Sequence, residues 1–159
     1  MPIVLFRVDE RLIHGQVVVG WGSQLQPDRY VVVDDALVAS AWERELYALG
    51  VPEGTEALFV DLASARIHLG EWRTSTLRTI LLTRDLGTMA ALAGGGALAG
   101  EEVNLGGIHF STGREEVLPY LFLSPDDRVA LHQIAVQGMA VSARDLPGSG
   151  RVPLEDLLA

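Results

Sequence analysis

Short apolar runs rich in β-branched residues recur along the whole chain, at 3–6, Tyr30–Val33, Ala57–Val60, Thr79–Leu82, Val103–Leu105 and Met139–Val141. The stretches between them carry helical spacing. Runs this short and this apolar read as strands buried on both faces, and strands that alternate with helices form βαβ units. The expected class is therefore α/β, with a mostly parallel sheet covered by helices on both sides. Such sheets place their chemistry at the carboxyl ends of the strands.

Local signals set the helices. Ser40-Ala-Trp-Glu43 reads as a capping box, opening a helix to about Leu49 that stops at Gly50. Ser124-Pro-Asp-Asp127 sets a cap, a first-turn proline and two acids before a helix to about Gln137, ended by Gly138. Thr83 or Asp85 caps another helix through Met89–Ala93. Gly15–Gly22 opens the first helix, with Val17, Val18 and Trp21 turned to the sheet. Gly94–Gly96 marks a loop within one domain, and Leu154–Leu158 a short terminal helix after a loop-rich tail. No internal repeat is visible, and the 159 residues read as a single domain, 1–159.

Composition excludes several functions. There is no cysteine, so neither a disulfide framework nor a thiolate zinc site is possible. The net charge of −9 argues against general nucleic-acid binding. No apolar run reaches the roughly 18–20 residues of a membrane span. Met-Pro-Ile-Val lacks a basic stretch and leads straight into a strand, so no signal peptide is expected and the reading is cytoplasmic. All 12 basic residues are arginine.

The segment Arg7-Val-Asp9-Glu10-Arg11-Leu-Ile-His14-Gly15-Gln16 carries the chemistry. It follows the first strand and precedes the first helix. Two arginines within seven residues of a histidine point to an anion, most simply phosphate. A neutral imidazole is a good nucleophile toward phosphorus, and its phosphoramidate keeps a high transfer potential. Transfer needs in-line positioning and positive charge around the phosphoryl oxygens. Arg11 and Arg7 offer that charge, and the N–H groups at the Gly15 helix start add donors. Gly15 lets backbone approach closely, and Asp9 or Glu10 can orient an arginine or the imidazole. Spacing alone leaves open a charged loop with an incidental histidine.

This segment resembles the signature of the IIB component of the mannose/fructose/sorbose family of the bacterial sugar phosphotransferase system (PTS). That family reads Arg-Ile-Asp-Asp-Arg-Leu-Ile-His-Gly-Gln-Val. Val31-Val-Val-Asp34-Asp35-Ala, Val103-Asn104-Leu-Gly106-Gly107-Ile and Phe122-Leu-Ser124-Pro-Asp-Asp127 extend the likeness in order along nearly the whole chain. The resemblance implies an open, doubly wound α/β sheet and a phosphorylated His14. It implies that His14 takes its phosphoryl group from a phosphohistidine on a IIA domain. The group then passes to a sugar held by the IIC/IID membrane permease, the activity of a protein-N(pi)-phosphohistidine–sugar phosphotransferase. Arg11 is the implied phosphate-binding cation. Arg7, Asp9, Gly15 and Gln16 are implied in phosphate or loop binding, and Asp35, Asn104, Gly106 and Gly107 in supporting loops. No cofactor or metal is implied. The protein would be cytoplasmic and associated with the inner membrane only through the permease. Two departures stand out: Glu10 replaces an aspartate, and Thr83-Arg84-Asp85 lacks an Asn/Ser-Pro sequence. A phosphorylatable regulator without transport and a non-catalytic anion-binding module are the competing readings.

The remaining candidates are weaker. His109 follows Gly106-Gly107 and lies near the site or on a surface turn. His68 and His132 read as solvated helix residues, and no histidine pair has metal-ligand spacing. Trp21, Trp42 and Trp72 read as core or interface. Gly94–Gly96 is not followed by the Lys-Ser/Thr of a phosphate loop.

Overall fold

The structure is a computed structural model and describes residues 2–159. Its main sheet has seven strands in the order β3-β2-β4-β1-β5-β8-β9. These are β1 (Ile3–Val8), β2 (Arg29–Val33), β3 (Glu56–Val60), β4 (Thr79–Thr83), β5 (Glu102–Leu105), β8 (Ala140–Ala143) and β9 (Val152–Pro153). All pairings are parallel except β8 with β9. Every expected strand is present, most with one or two residues more than the apolar run.

Alternation along each strand splits the core in two. On β2, Val31 and Val33 face one cluster, and Tyr30 and Val32 face the other. The larger cluster is covered by α4 (Leu62–Thr74), α5 (Leu86–Leu92), α6 (Pro125–Val136) and α7 (Leu154–Leu157). The smaller is covered by Leu12, Ile13 and Val17, with Leu37 of α2 (Asp35–Val38) and Tyr47 of α3 (Ala41–Leu49). The sheet is thus doubly wound. Because β1 sits mid-sheet between β4 and β5, its carboxyl end is walled by loops from both neighbours.

Three local expectations change. The first helix is π-helical from Gln16 to Trp21 and becomes α1 only at Gly22–Leu25. Val17 and Trp21 are buried there as expected, while Val18 is half-buried. At Ser40 the side chain makes no capping bond, so the expected box does not form, although α3 does begin at Ala41. The box at Ser124 forms in full, with Asp127 returning the bond. Two elements have no counterpart in the apolar runs: β9 and the hairpin β6 (Glu115–Leu118) with β7 (Leu121–Leu123). Among the described residues no helix is long and apolar enough to cross a membrane.

Candidate active site

Arg7 lies inside β1, beside Leu82 of β4 and Asn104 of β5, and is fully buried. A buried guanidinium needs acceptors for its donors, and here both Nη groups find them while the buried Nε has none among the described residues. Nη1 donates to Asn104 Oδ1 and to the Arg144 carbonyl at 2.9 Å. Nη2 donates to Asp9 Oδ2 and to the Asp145 carbonyl, both at 3.1 Å. The Trp21 ring lies 5.4 Å away and donates its own N–H to the same Asp145 carbonyl at 3.1 Å. Burial pushes the Arg7 pKa down, and the Asp9 and Asp145 carboxylates oppose that shift. With both Nη groups occupied, Arg7 acts on the loop from beneath.

Asp9 passes that constraint outward. It too is fully buried. Besides Arg7, its Oδ2 accepts from the Gly107 amide at 3.2 Å, and its Oδ1 accepts from the Arg11 amide at 3.0 Å. One carboxylate thereby ties β1, the following loop and the loop after β5. Its backbone carbonyl takes the Leu12 amide at 3.0 Å, closing a turn. Leu12 sits at φ +54, a conformation leucine rarely adopts, and buries its side chain completely.

That turn presents His14. Its Nδ1 lies 2.9 Å from the Leu12 carbonyl. A carbonyl only accepts, so Nδ1 carries a proton. Nε2 faces Asp9 Oδ2 at 3.7 Å and is shut off from solvent, in a side chain only 16% exposed. The His14 carbonyl accepts from the amides of Val17 and Val18 at 3.0 and 2.9 Å, which starts the π-helix. Arg11 is 43% exposed, with Nε 3.7 Å from Asp9 Oδ1 and Nη2 donating to Gln16 Oε1 at 2.8 Å. Arg11, His14 and Gln16 thus share one rim. Gly15 stands beside them with nothing within 4 Å of where a Cβ would point.

The loop after β5 closes the other wall. A Cβ on Gly106 would overlap the Arg7 guanidinium and the Asp9 carboxylate, so only glycine fits. Gly107 returns its carbonyl to the Glu10 amide at 2.9 Å. Glu10, the departure from the family pattern, accepts from the His109 amide at 2.6 Å and from Arg114 Nη1 at 2.8 Å. Its longer side chain clamps the 107–114 segment to the His14 loop.

Other expected residues lie elsewhere. Asp35 accepts from the Leu62 amide at 2.8 Å. With Asp34, Arg84, Asp85 and Thr88 it lines a separate cavity of about 280 Å³ beside the ends of β2 and β4. Asp85, not Thr83, caps α5 through the Thr88 amide. His68 pairs with Glu71 at 3.4 Å on exposed helix surface, and His132 is exposed on α6. Trp21 and Trp72 are buried, whereas Trp42 is 67% exposed. Among the described residues no group of carboxylates and histidines is placed to hold a metal ion. Sequence reasoning missed Arg114, Arg144 and Asp145, which reach the site only through folding. The Arg-Asp pair just past β8 was the one available signal, since that edge of the sheet was already marked.

Residues 3–159 match the family described as PTS system sorbose subfamily IIB component. The chain is 28% identical to the N-acetylgalactosamine-specific phosphotransferase enzyme IIB component 1 of Escherichia coli K12, covering 97% of each. It is 27% identical to the sorbose-specific EIIB component of Lacticaseibacillus casei, covering 100% of this chain and 94% of that one. Against the mannose-specific EIIAB component of Escherichia coli K12 it is 28% identical, but spans only 49% of that protein. The crystal structure of the same Escherichia coli N-acetylgalactosamine component superposes with a TM-score of 0.87 at 28% identity, covering 96% of this chain and 99% of that chain. The IIBSor domain of the Klebsiella pneumoniae sorbose permease shares the fold, with a TM-score of 0.89 at 23% identity over 99% of this chain and 96% of that chain.

Proposed function

The chain belongs to the sorbose subfamily of PTS IIB components, and on that premise we propose that it is one IIB domain, 1–159, carrying a phosphoryl group on His14 from a IIA phosphohistidine to a sugar. The observation that supports this most is the His14 imidazole at the carboxyl end of the central strand, with Nδ1 held by Leu12 and Arg11 on the same rim.

A ring nitrogen of His14 attacks the phosphorus of the incoming phosphohistidine in line. The new N–P bond forms as the donor N–P bond breaks, and the donor imidazole leaves with that electron pair. The second His14 nitrogen keeps its proton throughout. In the resting loop neither nitrogen faces outward, since one is bonded to Leu12 and the other faces Asp9. Presenting one requires rotation of the side chain and loss of the Leu12 hydrogen bond, a cost of about 1 kcal/mol. Arg11 then leaves Gln16 to meet the phosphoryl oxygens, helped by the Gly15 and Gln16 amides that no backbone carbonyl takes up. The open space at Gly15 leaves room for the donor's backbone. In the second step a sugar hydroxyl attacks phosphorus and gives up its proton to a base on the permease or to water, the His14 N–P bond breaks with its electron pair returning to the ring, and His14 returns to neutral imidazole. The finer activity is that of a protein-N(pi)-phosphohistidine–sugar phosphotransferase. Its partners are a IIA donor and a IIC/IID permease, which holds it at the inner membrane from the cytoplasmic side.

The test is phosphorylation with labelled phosphoenolpyruvate, the general PTS proteins and a cognate IIA. Label is expected in the parent and absent from His14→Ala; equal labelling of the two contradicts the reading. Adding permease vesicles and sugar should then discharge the label. Label that persists would mark a regulator instead, and a parent that never takes label would mark an anion-binding module.

A further inference from the structure

His109 is the one histidine near the site that this mechanism leaves unused. It belongs to the exposed segment after β5, and its backbone is pinned on both sides. Its amide donates to Glu10 Oε1 at 2.6 Å, and its carbonyl accepts from Arg114 Nη1 at 2.9 Å. Arg114 Nη1 also binds Glu10 Oε1 at 2.8 Å and its Nε lies 3.4 Å from Asp127, so the pin extends to the start of α6. The imidazole itself makes no hydrogen bond to the described residues. A rigid backbone that carries an uncommitted polar head at a site rim fits a group that meets its partner from outside.

The position of the ring narrows the partner. Cε1 and Nε2 of His109 come within 3.3 Å of the point a Gly107 Cβ would occupy, and Arg11 Nη2 comes within 3.6 Å of the same point. His109 and Arg11 therefore flank Gly107, side by side. Beneath them the Gly107 amide is bound to Asp9 Oδ2, the oxygen that faces His14. Any larger residue at 107 would press on the His109 ring and narrow the gap between the two heads. Two N–H donors beside a nucleophilic histidine suit the tetrahedral oxygens of a phosphoryl group.

We propose that His109 is a second phosphoryl-contact residue, donating a hydrogen bond from Nε2 to a non-bridging oxygen of the group that passes through His14, beside Arg11. The assignment rests on the phosphoryl-carrier reading of His14 and adds a residue to it. His109 forms no bond to phosphorus and its proton stays on nitrogen.

Single-turnover transfer from phospho-IIA tests it, with the parent, His109→Ala and His109→Gln run in parallel over a range of donor concentrations. The alanine variant should transfer about tenfold more slowly at saturating donor, with the half-saturating concentration unchanged. Glutamine, which restores an N–H donor at similar reach, should recover most of the rate. Parent-like transfer by His109→Ala overturns the proposal. So does an effect confined to half-saturation, which would make His109 a docking contact, or equal loss in both variants. A parent that takes no label fails the carrier reading itself, which keeps the two outcomes apart.

Discussion

Arg7 and Asp9 decide the site at the scale of single residues. Both are fully buried, and each neutralises the other. Removing one partner of such a pair leaves a charge buried without compensation, at a cost of about 3–5 kcal/mol. Urea denaturation of Arg7→Ala should show a loss of that order. Arg7→Lys should also be destabilised, because one ammonium cannot reach the Asp9, Asn104, Arg144 and Asp145 oxygens together. A stability within about 0.5 kcal/mol of the parent for Arg7→Ala would contradict the lock. The glycines divide in the same way. Gly106→Ala drives a methyl into the Arg7–Asp9 pair and should destabilise by about 1–3 kcal/mol. Gly15→Ala meets nothing and should leave stability within about 0.5 kcal/mol. Its effect should fall on the transfer rate, because the donor approaches through that space. Rates unchanged in Gly15→Ala would place the donor elsewhere.

At the scale of elements, the caps show where sequence suffices and where it does not. Asp61 accepts from the Ser64 amide at 2.7 Å at the start of α4, and those hydrogen bonds hold its pKa below the ordinary aspartate value. A carboxylate with a lowered folded pKa stabilises fully above its unfolded pKa and loses that contribution as pH falls through the folded value. The stability gap between the parent and Asp61→Asn should therefore be constant near neutrality and close in acid. Denaturation across that pH range checks it, and a gap that widens in acid would contradict it. The strands were legible because apolar runs buried on both faces look like little else. The end of β1 was not. Arg7 reads as the charge that stops a strand at Phe6, whereas β1 continues through Val8 because four acceptors wait for that charge. The β6–β7 hairpin was hidden for a related reason. Glu115 and Glu116 are exposed, and its Pro119-Tyr120 turn lacks the Asn-Gly or Asp-Gly signature of a tight hairpin. The π-turn at Gln16–Trp21 leaves no mark in residue periodicity, since it arises from a hydrogen-bond register.

For the whole molecule, the site belongs to no single segment. The central position of β1 brings residues 7–16 against Gly106 and Gly107 on one side, while Arg144 and Asp145 arrive from beyond β8. The motif at 7–16 marked His14 and Arg11 as candidates, because those residues are neighbours in sequence. Part of its support was illegible: the carbonyls of Arg144 and Asp145 have no side-chain signature, and Arg114 reaches Glu10 across 104 residues. Asp35, expected in a supporting loop, takes the Leu62 amide. A chain of net charge −9 thus sets Arg7 beneath the His14 loop and Arg11 on its rim, at the centre of its carboxyl edge. On the proposed function, this histidine carries the group. The most direct measurement is peptide mapping of the protein after phosphorylation by phospho-IIA, kept alkaline to preserve the N–P bond. The phosphoryl group should map to the peptide holding His14. Its recovery on a peptide holding His68, His109 or His132 would contradict the account.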